Sequence, residues 1–468
     1  MELDRSLLLT LPLLMFGCGH DAPSPKPNET QPPAEPAAAE AKPPPAKAAS
    51  DKTPGDKTAS LAKKSARKRE PLNVILLTVD ALRADMPWAG YGRDIAPNLT
   101  RFARENVSFD AHRSVTSFTA QSVPAMLSGR YASTLYRSGY FFAGYQETNE
   151  FFPEVLQAKG VRTIGVQSHL YFNRGKGLNQ GFDVWEMVPG ITFNERSDDH
   201  VTSPKTNELL MKHLSNPDNV KGRFFAWTHY TDPHHKWIRH DESPNFGDKD
   251  RDLYDNEVHY TDQHVGKFLA WAEKQPWWEK TAVVISSDHG EAFGEHGMMQ
   301  HAHELWEELV RVPLLIRVPG VEARRISTPH THLDLAPTIL ELMGEEPLQG
   351  AMGESLVPEI DGKPGSEKPV VLELTADNVQ PSRRAVVSGD YKLLRFGEGN
   401  GPEKLFNLKT DPSEQKDLSK TEPAKLAELR ALLDKKFAAL PRVQPHGGMK
   451  LKGGGTADGP LRPELAQR

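Results

Sequence analysis

Leu72–Val79, LNVILLTV, is a run of aliphatic and β-branched residues broken only by Asn73, and it ends in Asp80. A run with no polar face predicts a strand buried on both sides. Three more stretches read the same way: FFAWTHY at 224–230, TAVVISS at 281–287 and VPLLIRVPG at 312–320. Helical segments separate them. Ala96-Pro97-Asn98 introduces LTRFARENV, whose Leu99, Phe102 and Ala103 fall at i, i+3 and i+4. FFPEVLQAKG (151–160) and DNEVHYTDQHVGKFLAWAEKQ (255–275) follow. Buried strands alternating with helices predict the α/β class, a mostly parallel sheet sandwiched by helices. After about residue 365 the pattern shortens to VVLEL, AVVSGDYKLLRF and KLFNL, and then comes TEPAKLAELRALLDKKFAAL (421–440) with Pro423 in its first turn. This part predicts a smaller C-terminal antiparallel sheet plus a helix.

Composition narrows the functional classes. The chain has 468 residues, 57 basic against 63 acidic, and a net charge of -6, so no electrostatic footprint of a nucleic-acid binder is present. The single cysteine, Cys18, excludes an internal disulfide framework and any cysteine-based zinc cluster. It directly follows SLLLTLPLLMF (6–16) and Gly17, an apolar stretch too short to span a bilayer and of secretory h-region length. This resembles a bacterial lipoprotein signal, so the expected anchor is a diacylated Cys18 and the expected place is the cell envelope, exported and membrane-anchored. The Pro-, Ala- and Lys-rich stretch that follows cannot bury enough apolar surface to offset its ordering entropy. The predicted organisation is therefore a signal and lipobox at 1–18, a disordered tether at 19–70, a catalytic α/β domain at 71–364, a C-terminal subdomain at 365–441 and a Gly-rich tail at 442–468.

Four segments carry candidate chemistry. Asp80 stands at a strand end. Ser117-Phe118-Thr119-Ala120-Gln121-Ser122 leads to Leu127-Ser128-Gly129-Arg130-Tyr131. Asp288-His289-Gly290-Glu291 follows the strand 281–287, and His301 precedes Leu305-Trp306-Glu307-Glu308. Open α/β sheets place their sites at the carboxyl ends of strands. Two Asp residues there can hold a divalent cation and His289 adds a nitrogen ligand. The cation would lower the pKa of a nearby hydroxyl and stabilise charge on a transferring group. Thr119 or Ser122, at a helix start whose amides favour an incoming anion, could supply the nucleophile. His296, His303, His330 and His332 read as structural or exposed residues.

Seven segments in order, VDALRAD…GYG, APNLTRFARENVSF, LSGRY, FFAWTHYTDPH, SSDHGEAFGEHG, HLDLAPTILELMG and GDYKLL…KLFNLKTDP, resemble the sulfatase family of the alkaline-phosphatase superfamily and run from about residue 72 to 415. The resemblance implies that Asp80, Asp288 and His289 bind metal. It puts the nucleophile slot ten residues before Gly129, at Thr119. In sulfatases that slot holds a Cys or Ser converted to formylglycine, followed by Pro and Arg. Here Thr119-Ala120-Gln121-Ser122-Val123 lacks all three. Ala81 stands where the family usually has a second Asp, and His289 where calcium-binding members often have Asn. Both changes remove hard oxygen character and shift the expected ion from Ca²⁺ towards Mn²⁺ or Zn²⁺. The pattern Asp80, Thr119, Asp288, His289 resembles the phosphoryl-transfer branches of the superfamily, in which a metal-bound Thr forms a covalent intermediate. His234 and His301 match family histidines that contact the ester or leaving group, and either could serve as general acid. Asp232, His234, His235 and His301 are a weaker match to a second zinc site.

The leading expectation is a metal-dependent sulfatase-like hydrolase that cleaves a phosphate, phosphonate or sulfate ester through Thr119. Its substrate would be a small-molecule, lipid or glycan ester selected by the segments 132–150, 190–220 and 238–250. A phosphoryl-group transferase acting on a lipid or glycan head group, and a degenerate non-catalytic binding lipoprotein, are the competing expectations.

Overall fold

A computed structural model describes residues 69–191, 201–397 and 399–447. The expected signal segment with Cys18, nearly all of the tether, part of the 190–220 segment and most of the tail lie outside the described residues.

The central sheet has eight strands: β1 (Asn73–Val79), β2 (Val107–Phe109), β3 (Arg162–Gln167), β4 (Val184–Met187), β5 (Phe224–Tyr230), β6 (Thr281–Ser287), β7 (Leu314–Arg317) and β8 (Arg324–Ile326). Their order across the sheet is β8-β2-β7-β6-β1-β5-β3-β4. β1 lies at the middle, parallel to β5 on one side and to β6 on the other, with Val79 level with Tyr230 and Ser287. Asp80 and Asp288, each one residue beyond its strand, therefore emerge side by side. The run around 312–320 departs from the parallel expectation. Only Leu314–Arg317 forms a strand, and it is antiparallel to both β6 and β2. Burial on both faces produces the same hydrophobic run in either direction, so residue type alone does not report strand polarity.

Alternate residues of each strand point to opposite faces, and each face has its own core. Val74, Leu76, Phe225, Trp227 and Val284 pack with helices α2 (Thr119–Ser128), α3 (Phe152–Ala158) and α6 (Leu335–Leu342). Ile75, Leu77, Ala226, Val283 and Ile285 pack with α1 (Pro97–Glu105), α4 (Ser203–Ser215) and α5 (Asp250–Ala272). Gly165 in β3 is required by the first face: a Cβ there would meet the Trp185 ring at 2.4 Å. The second sheet is antiparallel, β9 (Val370–Leu374), β10 (Arg383–Ser388), β11 (Tyr391–Phe396) and β12 (Glu403–Asn407), and α7 (Pro423–Ala438) covers it through Leu429, Leu433 and Phe437.

Candidate active site

Asp80, Asp288 and His289 converge at the carboxyl ends of β1 and β6, with one ligand atom from each lying within 4.8 Å of the others. Each carboxylate is fixed by one oxygen and leaves the other inward. Asp288 Oδ1 accepts the backbone N–H groups of Ala81 and His289 at 3.2 and 3.0 Å. Asp80 Oδ2 lies 3.0 Å from His229 Nε2, whose proton it accepts. Asp80 Oδ1 and Asp288 Oδ2 are buried and have no hydrogen-bond partner. Buried charged oxygens are expensive without a counter-charge, so this pair is a candidate place for a cation.

His289 completes the set. Its Nδ1 donates to the Gly290 carbonyl at 2.9 Å, and a carbonyl can only accept. The Nε2 lone pair consequently faces inward, 3.7 Å from Asp80 Oδ1 and 3.4 Å from Asp288 Oδ2. Those separations suit ligands sharing one ion at bond lengths near ~2.1 Å. Two carboxylate oxygens and an imidazole nitrogen form a mixed hard and borderline donor set, which fits Mn²⁺ or Zn²⁺. Burial opposes the charged form of Asp80, but the charge of His234 and the His229 hydrogen bond hold its carboxyl well below the usual range.

The Thr119 hydroxyl donates to His289 Nε2 at 3.0 Å and thus sits at the edge of the set. Thr119 is the first residue of α2, after the extended Phe118, and is not that helix's N-cap. Ser122, one turn on, is turned away: its hydroxyl donates to the Asp288 carbonyl at 2.6 Å and meets His332 Nδ1 at 3.1 Å.

A row of imidazoles leads outward. The His301 ring lies 4.2 Å from His289 and 5.2 Å from His234, and His234 lies 5.6 Å from His169. His301 Nδ1 is 3.1 Å from Oε1 of Glu291, a fully buried carboxyl that burial pushes up to about 8. Burial holds His169 neutral, near 3, and its Nδ1 accepts the Tyr171 N–H, so its proton is on Nε2. His169, His229 and Glu291 were not singled out by sequence reading. His169 follows the strand RTIGVQ, whose Arg162, Thr163 and Gly165 disguise a buried strand. The rule that sites sit at strand carboxyl ends was the signal that could have found it.

Of the suggested second zinc group, Asp232 is committed elsewhere: its carboxylate accepts from the N–H of Thr202 and of Ser203 at the start of α4. A second group, His296, Glu308 and Glu414, shares no residue with the site. Lys392 Nζ is 3.0 Å from Glu414 Oε1 and 3.0 Å from Glu307 Oε1, so an ammonium already supplies the positive charge there. Arg83 braces the loops beneath the site, pairing with both oxygens of Asp85 and donating to the Glu291 carbonyl at 2.7 Å. A cleft of about 780 Å³ is lined by Tyr140, Phe141, Phe142, Lys176 and Asn378, and none of the site residues borders it. Phe141 stacks on Phe118, with ring centres 4.2 Å apart.

Residues 72–345 match the sulfatase family model, and residues 294–442 match that of the N-sulphoglucosamine sulphohydrolase C-terminal region. The first match covers more than half of the chain, which therefore belongs to the sulfatase family. Choline-sulfatase of Rhizobium meliloti is 31% identical over 195 residues, 41% of this chain and 37% of that protein. The delta 4,5-hexuronate-2-O-sulfatase of Bacteroides thetaiotaomicron matches over 39% of its length, so the chain spans well under half of these two relatives. The ulvan-active sulfatase of Formosa agariphila is 26% identical over 430 residues, 79% of this chain and 81% of that one. Among solved structures, a phosphonate monoester hydrolase of Agrobacterium radiobacter superposes with a TM-score of 0.65 at 15% identity, covering 78% of this chain and 95% of its own. A protein bound to its substrate D-glucosamine-2-N,6-O-disulfate gives 0.67 at 18%, covering 79% and 98%. At these identities the two superpositions speak for the fold, the alkaline-phosphatase-like α/β sheet with its small C-terminal antiparallel sheet.

Proposed function

We propose that this chain is a metal-dependent ester hydrolase in which Thr119 attacks the sulfur or phosphorus of a sulfate, phosphate or phosphonate ester. The observation that carries the reading is the pair of buried, unpartnered carboxylate oxygens of Asp80 and Asp288 beside His289 Nε2, with the Thr119 hydroxyl 3.0 Å from that nitrogen. A divalent ion held by Asp80, Asp288 and His289 would supply charge stabilisation and a lowered hydroxyl pKa. The chain's own residues supply the rest. The N-terminus of α2 faces the incoming anion with its backbone dipole. Neutral His169 offers its Nε2–H to a non-bridging oxygen. With its hydroxyl proton released to solvent, Thr119 Oγ bonds to the sulfur or phosphorus as the S–O or P–O bond to the leaving oxygen breaks, and His301, or His234 beside it, gives that oxygen its proton. Water then hydrolyses the Thr119 ester and returns the enzyme. Glu291 orients His301 through its Nδ1 hydrogen bond. The family relatives named as sulfatases and the superposable phosphonate monoester hydrolase support this range of esters. We place the activity at the cell envelope, tethered through a lipidated Cys18.

A panel of aryl phosphate monoesters, diesters, phosphonates and sulfates tests the reading, with wild type, Thr119→Ala and Ser122→Ala side by side. Loss of activity by at least about 10³-fold in Thr119→Ala, with Ser122→Ala retaining a measurable rate, is expected. Full activity in Thr119→Ala overturns the nucleophile, and a chain without stoichiometric metal and without esterase activity overturns the hydrolase.

A further inference from the structure

His332 begins the turn His332–Asp334 that leads into α6, and its ring is fully buried. Among the described residues its one hydrogen bond to a side chain is between Nδ1 and Ser122 Oγ, at 3.1 Å. The direction of that bond follows from the partners. Ser122 has one hydroxyl proton, and the Asp288 carbonyl at 2.6 Å takes it, since a carbonyl has no proton to offer. Ser114 Oγ, 3.3 Å from Ser122, spends its own proton on the Thr116 carbonyl. The proton between His332 and Ser122 therefore belongs to the imidazole: Nδ1–H donates to Ser122 Oγ. The Ser287 backbone also acts on the ring as an acceptor. Burial lowers the His332 pKa to about 3, so the ring is neutral and its Nε2, which has no hydrogen-bond partner, holds the lone pair.

The result is a directed chain, His332 Nδ1–H to Ser122 O–H to Asp288 C=O. Each member polarises the next. It joins α2, which carries Thr119 one turn before Ser122, to the residue pair Asp288-His289, which carries two of the three ligand atoms. We propose that His332 is a positioning residue that sets the distance between the Thr119 hydroxyl and the metal ligands by fixing this chain's direction. The inference rests on the reading of Asp80, Asp288 and His289 as metal ligands and of Thr119 as nucleophile. His332 touches neither ion nor substrate. Outer partners of this kind typically change metal affinity by about 10–100-fold when lost.

The test compares His332→Asn, which keeps an N–H donor, with His332→Leu, which does not, alongside Ser122→Ala, on the full chain. Mn²⁺ affinity by calorimetry and kcat and KM on the best aryl ester are the readouts. His332→Leu is expected to weaken Mn²⁺ binding about 10–100-fold and to lower kcat with KM little changed. His332→Asn should recover most of both, and adding His332→Leu to Ser122→Ala should cost little more than Ser122→Ala alone. If His332→Leu does not fold, the comparison of wild type, His332→Asn and Ser122→Ala decides: loss in Ser122→Ala with near-wild-type values in His332→Asn supports the chain. Wild-type Mn²⁺ affinity and kcat in Ser122→Ala, or equal losses in His332→Asn and His332→Leu, overturn this proposal alone. A wild-type chain that binds no Mn²⁺ overturns the functional reading along with it.

Discussion

Replacing Asp288 by Asn removes one negative charge and almost no volume. The Asn Oδ1 keeps the two backbone bonds from Ala81 and His289 that Asp288 Oδ1 accepts. The amide nitrogen then stands where Oδ2 was, 3.4 Å from His289 Nε2, where it competes with the Thr119 hydroxyl for that lone pair. In metal-free protein the native pair of inward oxygens, at most 4.8 Å apart, repel each other by about 3.5 kcal/mol at an effective dielectric of ~20. Asp288→Asn relieves that repulsion. In a body of this size ~1 kcal/mol moves Tm by roughly 1–2 °C, extrapolating the trend of smaller domains. The variant should therefore melt about 3–7 °C above wild type in EDTA. With Mn²⁺ at about 1,000 times its Kd, wild type gains about 4.1 kcal/mol and the variant little, so the order reverses. Scanning calorimetry of both proteins in EDTA and in Mn²⁺ reads the crossover. A variant that melts below wild type in EDTA, or that gains as much as wild type from Mn²⁺, refutes the argument that these oxygens await a cation.

Further outcomes follow from other parts of the molecule. His112 is fully buried with neither ring nitrogen partnered, and burial, then the neighbouring His332, His330 and Arg113, hold its pKa well below 6.5. The unfolded chain takes up a proton below pH 6.5 that the folded chain refuses, so stability falls with falling pH. His112→Leu should remove much of the loss between pH 6.5 and 5, read from urea unfolding at the two values; equal pH dependence in both proteins contradicts it. Ile285→Ala, in the centre of β6 between β1 and β7, should cost about 2–5 kcal/mol by the same assay, and a cost under ~1 kcal/mol would show that the face is not packed as described. Cys18→Ser should release the exported protein from the membrane fraction and abolish palmitate labelling; unchanged membrane association contradicts the lipid anchor.

Much of the scaffold was legible because it depends on local pattern. The runs 72–79, 224–230 and 281–287 have no polar face, and a segment of that kind has few alternatives to a buried strand. β3 was hidden because Gly165 is there for the Trp185 ring and contributes nothing to the hydrophobic pattern. The polarity of β7 was hidden because a buried run looks alike in both directions.

The candidate site divides along the same line. Residue type and position after a strand were enough to nominate Asp80, Asp288 and His289, because only a few side chains can hold a cation, whereas Thr119 and His301 were nominated through the resemblance to the sulfatase family. The family register already favoured Thr119 over Ser122, and the fold adds a physical reason: packing ties the hydroxyl of Ser122, one helical turn on, to the Asp288 carbonyl. His332 read as a structural residue for the same reason: its role lies in the direction of a hydrogen bond to a helix 210 residues away. Sequence by itself determined the family and the residue types available at the strand ends. The tertiary structure decided which atoms face inward, because hydrogen-bond direction and the orphaning of a carboxylate oxygen depend on neighbours that the chain brings together only on folding.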